Sequence, residues 1–177
     1  MHILFISDPL TSFKIHKETT YAMMRAAQAR GQIVWSCTSR DVFSKAGIFA
    51  NAQQITLRDD ATQAHWFDTI EHNTKQLNTF DAIVMRRDPP FDVNYVTDTW
   101  LLDAAVREGA VVFNAPSAIR NHSEKVSILE FPELTAPTLI ASDKALLTAF
   151  HTEHAAVISE PPARTGGSGI FRLGADG

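Results

Sequence analysis

Short apolar runs alternate along the chain with longer stretches in which apolar residues recur at helical spacing. His2–Ser7 is an apolar and β-branched run that Asp8-Pro9 stops, which predicts a buried first strand. Thr20–Arg30 has the apolar spacing of a helix, and Gly31 stands where a helix-ending glycine belongs. Ile33–Cys37 then predicts a second strand. This order of elements is typical of a βαβ unit in a parallel sheet.

The same alternation continues through the chain, and we expect a domain boundary near residues 120–125. Before that point the pattern predicts a strand near Gln54–Leu57, a helix near Gln63–Gln76, a strand over Phe80–Met85, a helix over Asn94–Glu108 and a strand over Ala110–Phe113. After it the pattern predicts a helix over Lys125–Phe131, a strand over Pro137–Ile140, a helix over Ser142–His151, and strands over Ala155–Ser159 and Ile170–Leu173. We therefore expect an α/β fold with a parallel-rich sheet over residues 1–122 and a second domain over 123–177. Strands beyond about residue 137 are expected not to join the first sheet.

Composition narrows the function classes. The chain has 177 residues, 45% of them hydrophobic, and a formal net charge of −4 without any block of like charges. Neither a nucleic acid nor a membrane surface is therefore an expected partner. No apolar run approaches the roughly 20 residues that cross a bilayer. The single cysteine, Cys37, cannot form an internal disulfide and fits a reducing compartment, so we expect a cytoplasmic protein.

Glycine is distributed unevenly. Five of the eight glycines lie in the last twelve residues, and the chain stops soon after a strand-like stretch. This distribution predicts a protein that has been cut within a domain.

The segment Met85–Asp92, MRRDPPFD, is the first candidate for binding chemistry. It follows a buried strand directly, and ligands of open α/β sheets bind outside the carboxyl ends of strands. Arg86 and Arg87 offer planar guanidinium groups that suit carboxylates, and Pro89-Pro90 stiffens the loop. The alternative interpretation is a rigid connection with exposed charges.

Two further segments are polar enough to bind a ligand. Residues 114–125 cluster polar and charged groups between two structured regions, as an interdomain linker also would. Residues 165–169, TGGSG, join two predicted strands, and their backbone N–H groups could cover a phosphate or simply form a hairpin. No cluster with the spacing of metal ligands occurs, because His151 and His154 have no third ligand near them in sequence. No metal site and no catalytic residue is assigned from the pattern.

Taken in order, these segments resemble the amino-terminal part of bacterial glutathione synthetases, which are ATP-grasp ligases. The likeness covers essentially the whole chain, and MRRDPPFD is its most specific motif. The other matching stretches are ISDPL (6–10), TTYAMMRAAQARG within the predicted first helix, NAPSAIRNHSEK (114–125) and GGSGIFR (166–172). The resemblance implies a Rossmann-like pre-ATP-grasp domain over 1–122 and the start of an ATP-grasp domain, incomplete, over 123–177.

The resemblance also implies an activity and its site. Such enzymes join γ-glutamylcysteine to glycine with ATP and Mg²⁺, through an acyl phosphate. Carried over by position, Lys125 would reach the nucleotide phosphates and Gly166, Gly167 and Ser168 would form the loop that faces them. Arg86, with Asp88, Pro89 and Pro90, would line the peptide site. Homo-oligomers are also expected, as is self-association through an apolar face that a missing lobe would cover.

Two departures from the family pattern predict that the isolated chain is inactive. Glu160 stands in the ATP site where the family has a lysine, and a carboxylate repels polyphosphate. The Mg²⁺ ligands are expected in a carboxyl-terminal lobe that this chain lacks. One alternative is an inactive remnant that keeps a peptide- or partner-binding domain. Another is an unrelated doubly wound nucleotide-binding module, which Asp8-Pro9 disfavours because it replaces a glycine fingerprint.

Overall fold

The computed structural model describes residues 1–162 and 169–174, and its helices and strands have the following bounds. The strands are β1 (His2–Ser7), β2 (Ile33–Cys37), β3 (Val42–Ser44), β4 (Ile48–Leu57), β5 (Phe67–Gln76), β6 (Ala82–Arg86), β7 (Val112–Phe113), β8 (Val157–Ser159) and β9 (Phe171–Leu173). The α-helices are α1 (Thr19–Ala29), α2 (Val93–Arg107), α3 (Pro116–Asn121) and α4 (Lys144–His154).

The chain separates into two compact units. One comprises residues 1–88 and 93–120, and the other comprises residues 89–92 and the described residues from 121 onward. The first unit contains a sheet in the order β3-β4-β2-β1-β6-β7, with β5 paired to β4. The second contains the antiparallel pair β8–β9, which is separate from that sheet, as expected for strands beyond residue 137. The predicted domain boundary between 122 and 123 stays a prediction.

The centre of the first sheet is parallel and its outer part is antiparallel. β1 pairs in parallel with both β2 and β6, and β6 pairs in parallel with β7. Beyond β2 the pairs β2–β4, β3–β4 and β4–β5 are antiparallel. The predicted α/β class with a parallel-rich sheet is confirmed, and the antiparallel hairpin β4–β5 adds an edge that the sequence did not predict.

Apolar side chains fill both faces of the central strands. Leu4, Ile6 and Trp35 lie in one buried cluster, and Phe5 and Val34 lie in the other. Neighbouring residues of β1 and β2 thus alternate between two covered faces, as in parallel sheets with helices on both sides. This arrangement leaves the ends of the strands as the place for polar chemistry.

Two predicted elements are wrong. The helix predicted near Gln63–Gln76 is the strand β5. Its side chains are largely exposed, so its sequence lacks the alternation of apolar and polar residues that identifies a half-buried strand. No strand forms over Pro137–Ile140, which is irregular in the structure. The short helix predicted over Lys125–Phe131 is a 3₁₀ helix over Val126–Glu130.

Candidate peptide site and nucleotide site

The carboxyl ends of β1 and β6 lie side by side at the point where the strand order reverses. The chain leaves β1 through α1 towards β2, and it leaves β6 through α2 towards β7 on the opposite side. Such a switch point opens a crevice outside the strand ends, where α/β proteins bind ligands. Asp8 follows β1 directly, and Arg86 ends β6.

A small cavity of about 90 Å³ lies at this switch point. It is lined by Asp8, Ser12, Phe13, Glu18, Arg86 and Asp88. Two predicted peptide-site residues, Arg86 and Asp88, therefore meet here, whereas Pro89 and Pro90 are not among the described lining residues. Asp8 and Glu18 are functional candidates that the sequence alone did not identify.

A buried threonine positions the charged groups of this cavity. Thr20, at the start of α1, is 1% exposed, and its hydroxyl accepts a hydrogen bond of 3.2 Å from Arg86 Nε. The backbone N–H of Thr20 donates to Glu18 Oε1 at 3.0 Å. Across the cavity, the backbone N–H of Asp88 donates to Asp8 Oδ2 at 3.0 Å. One atom of each of Arg86, Glu18 and Asp8 is thus anchored by the fold.

The cavity is acidic overall. Three carboxylates and one guanidinium give a formal charge of −2 when all are ionised. Partial burial raises the pKa of Asp88, the charges of Asp8 and Glu18 raise it further, and Arg86 opposes them. The carboxylates therefore repel one another, an arrangement more typical of binding sites than of structural ion pairs.

Asp88→Asn is expected to stabilise the folded protein by about 0.5 kcal/mol at neutral pH, the scale of interactions between exposed charges. A carboxyl whose pKa is raised by folding binds its proton more tightly in the folded state. Its contribution to stability therefore falls as the pH rises from the unfolded-state pKa through the raised one, and stays low above it. Urea denaturation at pH 7 and at pH 3 measures this. The substitution is expected to raise the free energy of unfolding at pH 7 and to leave it unchanged at pH 3. A lower free energy of unfolding at pH 7 would contradict this prediction.

Arg87 does not contribute to the cavity. Its guanidinium pairs with Asp98 and lies 5.0 Å from the centre of the Tyr95 ring. The Tyr95 hydroxyl donates to the carbonyl oxygen of Arg87 at 3.1 Å. Of the two guanidinium groups that the motif offers, one lines the cavity and the other ties the loop to α2.

A second cavity, of about 590 Å³, lies between the ends of β1 and β2 and the hairpin β4–β5. Its lining includes Asp8, Asp41, Asn51 and His72. The sequence could not predict this cavity, because one of its walls is the strand that was predicted as a helix. Cys37 also lines it, and burial raises the pKa of the Cys37 thiol, which fits a core residue better than a nucleophile.

In the second unit, Lys125 is paired with Glu160, the residue that the resemblance places in the position of a lysine. Lys125 Nζ lies 3.2 Å from Glu160 Oε2 and 3.9 Å from Glu124 Oε1. The Lys125 side chain is 18% exposed, so this is a partly buried ion pair. The described residues around Lys125 therefore hold a neutralised cation and do not, as they stand, fit a polyphosphate. Gly166, Gly167 and Ser168 lie outside the described residues.

The described residues do not form a metal site either. Over 1–162 and 169–174, no group of three or more His, Cys, Asp or Glu side chains could hold a metal ion. His151 instead lies 2.8 Å from the carbonyl oxygen of Gly174, measured from Nε2. In the same residues, no helix is long and apolar enough to cross a membrane.

Comparison with known protein families accounts for both units. Residues 1–120 match the model of the prokaryotic glutathione synthetase N-terminal domain, and residues 124–177 match that of the prokaryotic glutathione synthetase ATP-grasp domain. The chain belongs to the prokaryotic glutathione synthetase family. The resemblance seen in the sequence is thereby confirmed.

Curated relatives and solved structures agree with this membership. The chain is 47% identical to the glutathione synthetase of Ralstonia nicotianae over 178 residues, covering 100% of this chain and 54% of the relative. It is 47% identical to that of Bordetella pertussis over 177 residues, covering 98% and 56%. The chain thus spans about half the length of these relatives.

The fold is similar to that of the ATP-grasp ligase PsnB. In complex with a minimal precursor, PsnB matches with a TM-score of 0.55 and 15% identity, over 98% of this chain and 57% of PsnB. Its complex with a phosphomimetic variant of the minimal precursor, Mg and ADP matches with a TM-score of 0.52 and 15% identity, over 98% and 58%. At this identity the likeness shows the fold alone.

Proposed function

We propose that this chain supplies the peptide-binding part of a glutathione synthetase, which ligates γ-glutamylcysteine to glycine at the expense of ATP through an acyl phosphate. The observation that carries the proposal is the charged cavity formed by Arg86, Asp88, Asp8 and Glu18 at the switch point, in a chain of this family. In this proposal residues 1–122 are the pre-ATP-grasp domain and residues 123–177 begin the ATP-grasp domain. We also propose a cytoplasmic location and self-association.

The residues of this chain bind and orient the dipeptide. Arg86 is held by Thr20 and presents its guanidinium to the cavity, and Asp8 and Asp88 fix the opposite wall. ATP and Mg²⁺ supply phosphoryl transfer in ATP-grasp ligation. Because Lys125 is paired with Glu160, we propose that the chain alone has no ligase activity.

The Lys125–Glu160 ion pair also favours a second candidate function. A chain that has lost a cation from its nucleotide site is what an inactive remnant with a surviving peptide-binding domain would contain. The two candidates differ in one respect, which is whether Glu160 can coexist with ATP chemistry.

A chimaera tests both. Joining this chain to the remaining carboxyl-terminal portion of the Ralstonia nicotianae relative is expected to give an enzyme that releases ADP only when both γ-glutamylcysteine and glycine are present. ADP release is measured by a coupled assay, with the intact relative as positive control and circular dichroism as the check on folding.

The same chimaera with Glu160→Lys separates the alternatives. At saturating ATP, comparable activity of the chimaera with and without the Glu160→Lys substitution supports the ligase. Activity only in the Glu160→Lys chimaera supports the remnant. A folded chimaera that is inactive in both forms would overturn the ligase function.

A further inference from the structure

One face of the first sheet changes from apolar to polar along β2 and β4. Val34 of β2 and Ile55 of β4 pair in register and lie in the buried cluster that also contains side chains of α1. Two residues further along each strand, and therefore on the same face, Ser36 pairs with Gln53. Gln53 in turn pairs with His72 of β5, so three polar residues form a row across three strands. All three line the second cavity, of about 590 Å³.

Ser36 is the buried member of this row. It is 2% exposed, and its hydroxyl forms no hydrogen bond within residues 1–162 and 169–174. A hydroxyl that is removed from water costs free energy unless a partner replaces the lost hydrogen bonds. Because Ser36 lines the cavity, a ligand bound there is the partner that this hydroxyl lacks.

Two amide side chains of the cavity wall are held by the fold through their oxygens. The Thr69 hydroxyl donates a hydrogen bond to Gln53 Oε1 at 3.0 Å, and the Thr74 hydroxyl donates one to Asn51 Oδ1 at 2.7 Å. The NH₂ groups of Gln53 and Asn51 form no hydrogen bond to the part of the chain that the structure describes. The wall therefore offers N–H donors to a ligand.

Two carboxylates of the same cavity supply acceptors. Asp41 Oδ2 accepts hydrogen bonds from the backbone N–H of Thr38 at 2.8 Å and from its hydroxyl at 2.7 Å. Asp8 Oδ2 accepts one from the backbone N–H of Asp88 at 3.0 Å. Among the described residues, the Oδ1 atom of each aspartate has no hydrogen-bond partner. No lysine or arginine is among the described lining residues, so the cavity does not suit a phosphate or another anion.

We infer that this cavity binds a neutral ligand that carries a vicinal diol, the chemistry that a ribonucleoside and a free sugar share. A hydroxyl group donates and accepts at once, so each ligand hydroxyl donates to an aspartate Oδ1 and accepts from an amide NH₂. An ammonium ligand would leave the amide donors unmatched, and an anion would be repelled by Asp8 and Asp41. The inference goes beyond the proposed function, which does not use this cavity.

The size and the apolar part of the lining fit such a ligand. The volume of about 590 Å³ lies within the roughly 300–1,000 Å³ that is usual for small-molecule sites. Pro9, Leu10 and Phe67 add apolar surface to the lining, against which the carbon atoms of a ring can pack.

Chemical-shift titration of the ¹⁵N-labelled full chain with three compounds tests the ligand side of the inference. The reference ligand is uridine, whose base differs from that of ATP. The comparison ligand 2′,3′-dideoxyuridine lacks the diol and is expected to bind about tenfold more weakly or worse, because it loses charge-assisted hydrogen bonds. Methyl β-D-ribofuranoside keeps the diol and lacks the base. Affinity equal to that of uridine identifies a free sugar as the source of the diol, and weaker binding identifies a nucleoside.

Two variants test the protein side. Ser36→Ala is expected to weaken uridine binding about fivefold without changing the free energy of unfolding, because within the described chain this hydroxyl has no hydrogen bond to lose. Asp41→Asn keeps an oxygen for the Thr38 N–H and removes the charge. It is expected to weaken uridine about tenfold and to leave the weaker binding of 2′,3′-dideoxyuridine unchanged, which a merely structural role would not do. Ser44→Ala and Asp59→Asn make the same changes at exposed positions outside the cavity and serve as matched controls.

Four results would overturn the inference. Equal affinity for uridine and 2′,3′-dideoxyuridine excludes recognition of the diol. Uridine binding that is insensitive to both Ser36→Ala and Asp41→Asn assigns the ligand to another place on the chain. A folded chain that binds neither uridine nor the riboside has no such site. If Asp41→Asn weakens the binding of γ-glutamylcysteine as much as that of uridine, the cavity belongs to the peptide site.

Discussion

Trp35→Ala is expected to lower the free energy of unfolding by about 3–5 kcal/mol, the usual range for removing a buried tryptophan. Trp35 lies in β2, is 1% exposed and pairs in register with Leu4 of the central strand β1. Its ring meets Phe80 edge-to-face at 5.9 Å between centroids. Its indole N–H donates to His2 Nδ1 at 3.1 Å, so truncation removes a hydrogen bond as well as apolar contacts.

Trp100→Ala is the matched control for this effect. Trp100 lies on α2 and is 57% exposed, so the same truncation there is expected to cost less than about 1 kcal/mol. The loss in the free energy of unfolding for Trp35→Phe is expected to fall between those for Trp35→Ala and Trp100→Ala. This variant keeps the experiment informative if Trp35→Ala does not fold. Urea denaturation followed by circular dichroism gives all three values. Equal costs at Trp35 and Trp100 would contradict the buried packing around β2.

The bounds of the buried elements of the first unit could be predicted from the sequence because residues within or next to each element set where it begins and ends. β1 and β2 have the predicted bounds, since each is an apolar run that a polar or turn residue ends. The ends of α1 and α2 were also predictable. Gly31 and Gly109 follow them with φ of 71° and 97°, in the left-handed region that glycine adopts without strain.

The exposed edge could not be predicted in the same way. β5 is held by its pairing with β4 from Phe49↔Gln76 to Leu57↔Phe67, and almost all its side chains face solvent. Without one buried face, its polar sequence carries no period-2 signal, and the tertiary pairing decides the structure. A register shift between Gln54 and Ile55 blurs the alternation further.

The candidate site was half predictable for a similar reason. Arg86 and Asp88 were identified because they follow a buried strand and lie in a specific motif. Thr20 and Asp8 were not, because their hydrogen bonds to that motif join residues 66 and 80 positions apart. Glu18 was not identified either, because it reaches the cavity through its hydrogen bond with the backbone of Thr20. The signal that could have found Asp8 is its place directly after the first parallel strand, where a switch point collects ligand-binding residues.

Glu160→Lys is expected to tighten the binding of ATP, titrated with magnesium, by about tenfold or more. In the unaltered chain a phosphate group must compete with Glu160 Oε2, 3.2 Å from Lys125 Nζ, and is also repelled by it. Two unit charges about 4 Å apart interact by roughly 4 kcal/mol at a dielectric constant of about 20. Glu160 is 41% exposed, so solvent screens much of this, but about 1.4 kcal/mol is already a tenfold change.

The charge series at this position gives the prediction its controls. Glu160→Gln frees Lys125 without adding a cation, so its effect is expected to lie between those of the unaltered chain and Glu160→Lys. Glu153→Lys makes the same charge reversal on α4 at a side chain that is 75% exposed, and is expected to leave the affinity unchanged. Isothermal titration calorimetry compares the four proteins. If Glu153→Lys tightens ATP binding as much as Glu160→Lys does, the net charge and not the Lys125–Glu160 pair controls nucleotide affinity. Tight ATP binding by the unaltered chain would show that Glu160 does not block the nucleotide site.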